Sequence, residues 1–139
     1  MPRDPLATLI RLRQRALDEA QRALVGCIAA ETQARAAADE AARAIARETE
    51  VASCITGSDA VVEAFAAWLP AARERAETAR REAESREAET TRARASVAAC
   101  RTALESVETL QRKRRQEVAH ARERRLQLEL DDRRGTVDE

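Results

Sequence analysis

Thr56-Gly57-Ser58-Asp59 is the strongest turn signal in the chain, and it separates two long stretches with helical periodicity. Gly57 can adopt the left-handed conformation that ends a helix, and Ser58 or Asp59 can cap the helix that follows. So short a turn forces the flanking helices to lie antiparallel. The sequence therefore predicts an all-α fold, a long antiparallel two-helix coiled-coil hairpin that spans residues 1–139 as a single domain.

Before the turn, apolar residues recur in alternating steps of four and three, a period close to 3.5. Twelve of the fifteen positions in this series are apolar, which is typical of a coiled coil rather than of a globular helix. Asp4 and Pro5 suit the start of a helix, so we expect the first helix over about residues 5–55. The residues expected in its seam are Ile10, Leu17, Leu24, Ile45 and Ile55.

After the turn the pattern repeats, with fifteen of twenty seam positions apolar. We expect a second helix over about residues 59–131 and a frayed tail at 132–139. Arg86 and Thr90 occupy seam positions, which predicts a weak middle. The residues expected in the seam of this helix are Val62, Leu69, Val97, Leu104 and Val107.

Pro70 lies inside the second helix, where it removes one backbone amide and clashes with the preceding turn. We expect a continuous helix that is kinked near residue 70. The alternative is a separate short helix over residues 58–69.

The two expected helices differ in length. With the turn centred near residues 57–58, Pro5 faces about Leu110. Residues from Gln111 to about Asp131 then have no partner within the hairpin. At ~1.5 Å per residue, this overhang amounts to about 30 Å of single helix.

The composition argues against an enzyme. Charged residues make up 36% and aromatic residues 1% of the chain, so the side chains that fill a compact core around a substrate are missing. The chain has no Gly-rich phosphate loop and no Gly-x-Ser-x-Gly motif. The lone His120 is expected on an exposed helix surface, without a second histidine to share a metal. We predict no catalytic, cofactor or metal site.

The cysteines and the apolar runs indicate a soluble cytoplasmic protein. Cys27, Cys54 and Cys100 are widely spaced, and we interpret them as small buried apolar residues rather than as disulfides or metal ligands. No stretch approaches the ~20 apolar residues that span a bilayer. No apolar region of a signal peptide follows Met1–Pro5.

Two features are candidate binding surfaces. Gln111–Arg125 holds seven basic residues against two acids, although the net charge of the chain is zero. An exposed basic helix can bind an acidic protein surface, phosphate or lipid, or can simply be solvated. Phe65 and Trp68 lie within one turn of each other after the bend. They either close the hairpin by packing or act as interface anchors.

Several segments together resemble the flagellar FliJ family, and more loosely its counterparts in virulence type III secretion. They are the opening Asp4–Arg13, the tip segment Phe65-Ala-Ala-Trp-Leu-Pro70, and the two C-terminal runs Val107–Glu117 and Arg122–Asp132. The overall size and the two-helix layout add to the likeness, which covers nearly the whole chain.

The resemblance implies a non-catalytic coiled-coil stalk of the flagellar type III protein export apparatus. Its expected partners are the hexameric export ATPase, the export gate protein and the export chaperones. It implies no nucleic acid, no direct membrane insertion, a monomer when isolated, and a peripheral place at the cytoplasmic face of the inner membrane. The expected ATPase-ring contacts are Arg112, Lys113, Arg115, Arg122, Arg124, Arg125, Leu6 and Leu9. Phe65 and Trp68 are the expected contacts at the tip, toward the gate.

Other functions remain open at the level of sequence. The chain could be a general scaffold coiled coil that dimerises through the overhang, or the equivalent stalk of a virulence secretion system. A nucleic-acid-binding arm is a further reading, although the basic cluster lacks the aromatic residues on which bases stack.

Overall fold

The structure, a computed structural model, describes residues 4–54 and 58–135. It contains two α-helices, α1 at Pro5–Cys54 and α2 at Asp59–Gly135. The helices pack against each other, and no strand is present among the described residues. The all-α two-helix fold expected from the heptad pattern is thus confirmed.

The tertiary contacts divide the chain into two units. The terminal unit comprises Met1–Asp18 and Ala98–Glu139, and the turn unit comprises Glu19–Val97. Each unit combines a stretch of α1 with a stretch of α2. In the turn unit, for example, Arg35 of α1 lies 3.5 Å from Glu87 of α2.

Asp4 caps the start of α1, as the sequence predicts. Its side-chain Oδ1 accepts a hydrogen bond from the backbone amide of Leu6 at 3.0 Å. Its carbonyl oxygen accepts another from the amide of Thr8 at 3.3 Å. These bonds satisfy two of the amides that a helix start leaves without partners.

α2 begins just after Ser58, whose carbonyl oxygen accepts hydrogen bonds from the amides of Val61 and Val62. Thr56 and Gly57 of the expected turn, together with Ile55 of the expected seam, lie outside the described residues. α2 continues through Pro70, so the interpretation of 58–69 as a separate short helix is wrong. A bend at Pro70 remains a prediction.

The C-terminal end of α2 lies beyond the expected limit at residue 131. The helix extends to Gly135, so the expectation of a frayed tail is wrong for residues 132–135. Arg133 and Arg134 lie in the last turn, where positive charge interacts favourably with the helix dipole. The rest of the expected tail, residues 136–139, lies outside the described residues.

Burial follows the expected seam with one exception. Val97 is buried, and half-buried positions along the seam include Ile10, Leu17, Leu24, Ile45, Leu69, Leu104 and Val107. Val62 is 52% exposed, so its assignment to the seam is wrong. Close to the start of α2 it is the neighbouring Val61 that faces α1, where it lines a groove with Val51 and Ala52.

Thr90 is packed in the seam, where its heptad position places it, and the expected weakness of the middle remains a prediction. Its side chain is 0% exposed, and its hydroxyl donates a hydrogen bond to the carbonyl oxygen of Arg86 at 3.1 Å. A threonine can be buried in a helix when its hydroxyl bonds the preceding turn in this way. Arg86 is half-buried and pairs with Glu82 at 2.8 Å, the ion pair that the spacing predicts, and with Glu89 at 3.3 Å.

The three cysteines are free thiols. Cys27 and Cys100 are half-buried, whereas Cys54 is exposed. The expectation that all three are buried is therefore wrong, most clearly for Cys54, which is the last residue of α1 and has little of α2 beside it.

Candidate partner-binding surfaces

The first candidate surface is the part of α2 at residues 111–125, here called the basic segment. Every side chain at positions 112–120 is exposed, and within the segment only Gln111 and Ala121 are half-buried. This exposure fits the expected overhang, a helix without a partner in the hairpin. The six basic residues expected at a partner interface, Arg112, Lys113, Arg115, Arg122, Arg124 and Arg125, are all exposed.

A groove of about 360 Å³ lies between the start of α1 and the basic segment. Three guanidinium groups surround it, those of Arg114, Arg115 and Arg122, and Leu6 and Val118 supply apolar wall. Arg114 is absent from the interface residues expected from the sequence, because its heptad position assigns it to the seam. It is exposed rather than packed in the seam, and it lines the groove with Arg115 and Arg122.

The start of α1 contributes less than the sequence suggests. Leu6 is only 9% exposed, so most of its side chain serves the packing of the hairpin. It also lines the groove, and its role as a partner contact remains a prediction. Leu9 is half-buried. In the same unit the exposed residues of α1 include Arg11, Arg13 and Arg15, which add three positive charges. Asp18, also exposed, adds one negative charge.

The basic segment combines a high density of positive charge with an absence of local ion pairs at its arginines and lysine in the described structure. Within the described parts of the chain, none of its seven basic residues forms an ion pair, and Arg112 donates only to the hydroxyl of Thr109 at 3.2 Å. In the turn unit, Arg80 binds Glu77 at 2.7 Å and Glu84 at 2.8 Å. The seven charges of the basic segment are therefore available to a partner, as are those of other arginines of α2 without an ion pair among the described residues, such as Arg92, Arg94 and Arg101.

The ion pairs of the turn unit shift the pKa values of several of their members. The hydrogen bond from Arg80, together with the charges of Arg80 and Arg81, lowers the pKa of Glu77. Arg47 lowers the pKa of Glu40 in the same way, through a 2.8 Å hydrogen bond and its charge. The carboxylates Glu77 and Glu82 raise the pKa of Arg80 and Arg86 respectively. All these groups lie in the turn unit.

His120 lies exposed on the helix surface, as expected, with its Nδ1 3.7 Å from a carboxylate oxygen of Glu123. Among residues 4–54 and 58–135, no cluster of three His, Cys, Asp or Glu side chains is arranged to hold a metal ion. Neither described helix has a stretch long and apolar enough to cross a membrane.

The second candidate surface is the groove near the turn, here called the aromatic groove. Phe65 and Trp68 are half-buried, with ring centroids 6.0 Å apart and ring planes tilted by 37°. With five neighbours they line a groove of about 320 Å³; the neighbours are Glu48, Val51, Ala52, Val61 and Ala64. The aromatic pair therefore packs beside α1 and still presents an open face, so packing and docking are compatible here.

The charge around the aromatic groove is of one sign. Residues 48–72 contain four acids and no lysine or arginine; the acids are Glu48, Glu50, Asp59 and Glu63. All four are exposed, and Glu48 lies in the groove wall. The sequence held a signal for this acidic surface, because the 25 residues between Arg47 and Arg73 include no lysine or arginine. The prediction of a binding surface here rested on the two aromatic residues alone.

A third set of exposed residues lies on the part of α2 that the sequence predicts to have no partner in the hairpin. Leu126, Leu128 and Leu130 of α2 are 58–66% exposed, and Val118 is 52% exposed. Large apolar side chains concentrated on one helical segment, rather than scattered singly, are typical of interaction surfaces. The sequence indicated these residues, because large apolar residues continue along α2 beyond the positions expected opposite the start of α1.

The comparisons with known proteins identify no relative. No family model, no curated protein and no solved structure gives a significant match to this chain.

Proposed function

We propose that this protein is a non-catalytic coiled-coil stalk of the flagellar type III export apparatus, which binds the hexameric export ATPase at the cytoplasmic face of the inner membrane. The observation that carries the proposal is the basic segment, an exposed helix whose seven basic residues have no ion-pair partner in the described parts of the chain. The resemblance of the opening and of the C-terminal runs to the FliJ family supplies the identity of the partner.

The basic groove suits an acidic partner. Arg114, Arg115 and Arg122 converge on it beside the apolar Leu6 and Val118. Arginine forms paired hydrogen bonds with carboxylates, and a local positive field accelerates the encounter with an acidic surface. A ring entrance lined by aspartate and glutamate side chains with small apolar residues between them has the matching chemistry.

One hairpin inside a ring of six subunits cannot contact all six in the same way. The subunits that meet the arginine-lined groove are therefore biased toward a different conformation from those that do not, since a ligand shifts the equilibrium of whatever state it binds better. In this mechanism the stalk performs no chemistry on the nucleotide. The stalk changes the order in which the ring subunits hydrolyse the nucleotide.

The aromatic groove is the proposed contact with the export gate and the export chaperones. Its open apolar face is framed by acids, so a partner segment needs an apolar anchor and a neighbouring positive charge. Aromatic residues in such grooves are favoured anchors of protein interfaces. The two surfaces lie in different units, which lets one chain hold both partners.

The test is binding and stimulation of the purified export ATPase hexamer. The variant Arg112→Glu, Arg115→Glu, Arg122→Glu should reduce binding by at least about tenfold, because it reverses three charges on the segment. The matched control reverses three exposed arginines elsewhere on α2, Arg92→Glu, Arg94→Glu and Arg101→Glu, and should bind as the native chain does.

Two results would overturn the proposal. One is a native chain that neither binds the hexamer nor changes its rate of hydrolysis. The other is an equal loss of binding in both variants, since that would reflect net charge rather than the basic segment.

A further inference from the structure

We propose that the C-terminal end of the basic segment, together with the adjoining Leu126, docks on the aromatic groove of a second copy of this chain. The two surfaces have opposite charge and both present apolar side chains that the described structure leaves exposed. The proposal does not depend on the export function, because it concerns this chain alone.

The apolar parts fit by size and spacing. The aromatic groove, about 320 Å³, is walled by Val51, Val61, Phe65 and Trp68, which is room for a leucine side chain and part of its neighbour. Leu126 is 59% exposed, one helical turn after Arg122 on the same side of α2. Leu126 is therefore the residue we assign to the groove.

The charged parts fit by sign. When Leu126 occupies the groove, Arg122 lies one turn away, within reach of Glu48 in the groove wall, and it can also stack on the face of Trp68. Around them, four acids and no base at residues 48–72 face seven bases and two acids at residues 111–125. The chain as a whole is neutral, so attraction arises only when these two surfaces meet.

The contact is heterologous, because the basic segment of one copy meets the aromatic groove of the next. Each copy therefore has one surface of each kind. Contacts of this type form open chains unless the geometry closes them into a ring. Exposed charges are screened by salt, with a Debye length of ~10 Å at 0.1 M, and the apolar contact is one side chain in one groove. The association is consequently weak, concentration-dependent and sensitive to salt.

Self-association and partner binding would use the same basic segment. A copy docked in this way has its arginines covered, and a partner with a higher affinity for them would release it. This competition is the one point at which the inference rests on the proposed function.

The experiment is sedimentation velocity of the full-length chain at several concentrations and two ionic strengths. We expect the weight-average sedimentation coefficient to rise with concentration at about 25 mM salt, and the association to weaken by at least about tenfold at about 300 mM. A chain that stays monomeric across the low-salt series overturns the proposal.

Charge reversal identifies the surfaces. Variant one carries Glu48→Lys, Glu50→Lys and Glu63→Lys near the groove, and variant two carries Arg115→Glu, Arg122→Glu and Arg125→Glu on the basic segment. All six substituted residues are exposed in the native chain. Circular dichroism verifies that both variants fold. Each variant alone should remain monomeric, because like charges then face each other.

Mixing the two variants provides the decisive comparison. The reversed groove of variant one attracts the reversed segment of variant two, and the native groove of variant two attracts the native segment of variant one. The mixture should therefore associate about as strongly as the native chain. Two outcomes overturn the proposal: a mixture that stays monomeric, and association of variant one alone, which would mean that basic segments pair with something other than the groove.

Discussion

Two stretches of α2 share one heptad pattern and differ in what covers it. In the turn unit, the seam positions from Ala72 to Val97 pack on α1, and Arg80 and Arg86 beside them bind glutamates of the same helix. In the basic segment the same kind of seam is exposed and the arginines have no such partners. A heptad pattern thus marks a surface that can be buried, and the length of the opposing helix decides whether it is buried within the chain.

The sharpest test of this comparison uses two valines 21 residues apart, which is three heptads. Val97 is 6% exposed and Val118 is 52% exposed. Val97→Asp should lower the free energy of unfolding by about 3 kcal/mol or more, because it buries an unpaired charge. Val118→Asp should change the free energy of unfolding by less than about 0.5 kcal/mol. Because both substitutions replace valine by aspartate in a helix, they share the same change in helix propensity, and burial is the difference between them.

Urea unfolding followed by circular dichroism measures both variants. Equal destabilisation would break the comparison, because it would mean that Val118 is packed in the folded chain as Val97 is.

A smaller effect is expected at two adjacent threonines. Thr90 and Thr91 both donate a hydroxyl hydrogen bond to the carbonyl four residues earlier, at 3.1 Å in each case. Thr90 is fully buried and Thr91 is exposed. Thr90→Leu should destabilise the chain by about 1–3 kcal/mol through overpacking, whereas Thr91→Leu should fall within about 0.5 kcal/mol of the native chain.

The same denaturation assay distinguishes the two variants. If Thr90→Leu were neutral or stabilising, the seam at this point would have room that the structure does not show, and the description of Thr90 as a tightly packed residue would fail.

The smallest effect concerns pH. The pKa of Glu77 is lowered by its hydrogen bond to Arg80, so in the folded chain this carboxylate remains ionised at a pH where the unfolded chain already takes up protons. The stability from the pair is therefore fully present above the ordinary glutamate range, about pH 4–5, and is lost as the pH falls through the lowered value. Because both side chains are exposed, the contribution is small.

Arg80→Gln should flatten the pH dependence of the urea midpoint between about pH 5 and pH 3. The matched substitution Arg112→Gln, in the basic segment, should leave that dependence unchanged, because Arg112 has no carboxylate partner in the described structure. An equal effect of the two substitutions would contradict the assignment of the pH dependence to the ion pairs of the turn unit.

The sequence was sufficient for the architecture because the relevant signals are local. The apolar residues repeat with a period of 3.5 residues, which predicts the face that each helix buries. The helix start at Asp4 and the turn signal near Gly57 predict where the two helices are divided. The prediction failed at Val62, which is 52% exposed, while the neighbouring Val61 lines the groove beside α1. Two adjacent valines are equally apolar, so composition alone does not select which of them faces α1.

The candidate surfaces were predictable in part. The surplus of arginine was visible in the sequence, and so was the aromatic pair. The open face of the aromatic groove depended on the relative placement of two helices, because Val51 and Ala52 of α1 line it with residues of α2. The grouping of Arg114 with Arg115 and Arg122, at spacings of seven and eight residues on one helix, could have been found from the sequence. Thr90 is a further case, since its polar hydroxyl suggested a defect, and only the 3.1 Å bond to the Arg86 carbonyl explains its burial.

The central claim is that the basic segment is free in the isolated chain and becomes covered by the export ATPase. Hydrogen–deuterium exchange measures this directly, because amides of a helix without tertiary contacts open at low free energy. In the isolated chain, amides of residues 111–130 should exchange faster than those of residues 76–97. Adding the ATPase hexamer should slow exchange in residues 111–130 and leave residues 76–97 unchanged. Equal protection of both stretches in the isolated chain, or no change in residues 111–130 on adding the hexamer, would contradict the claim.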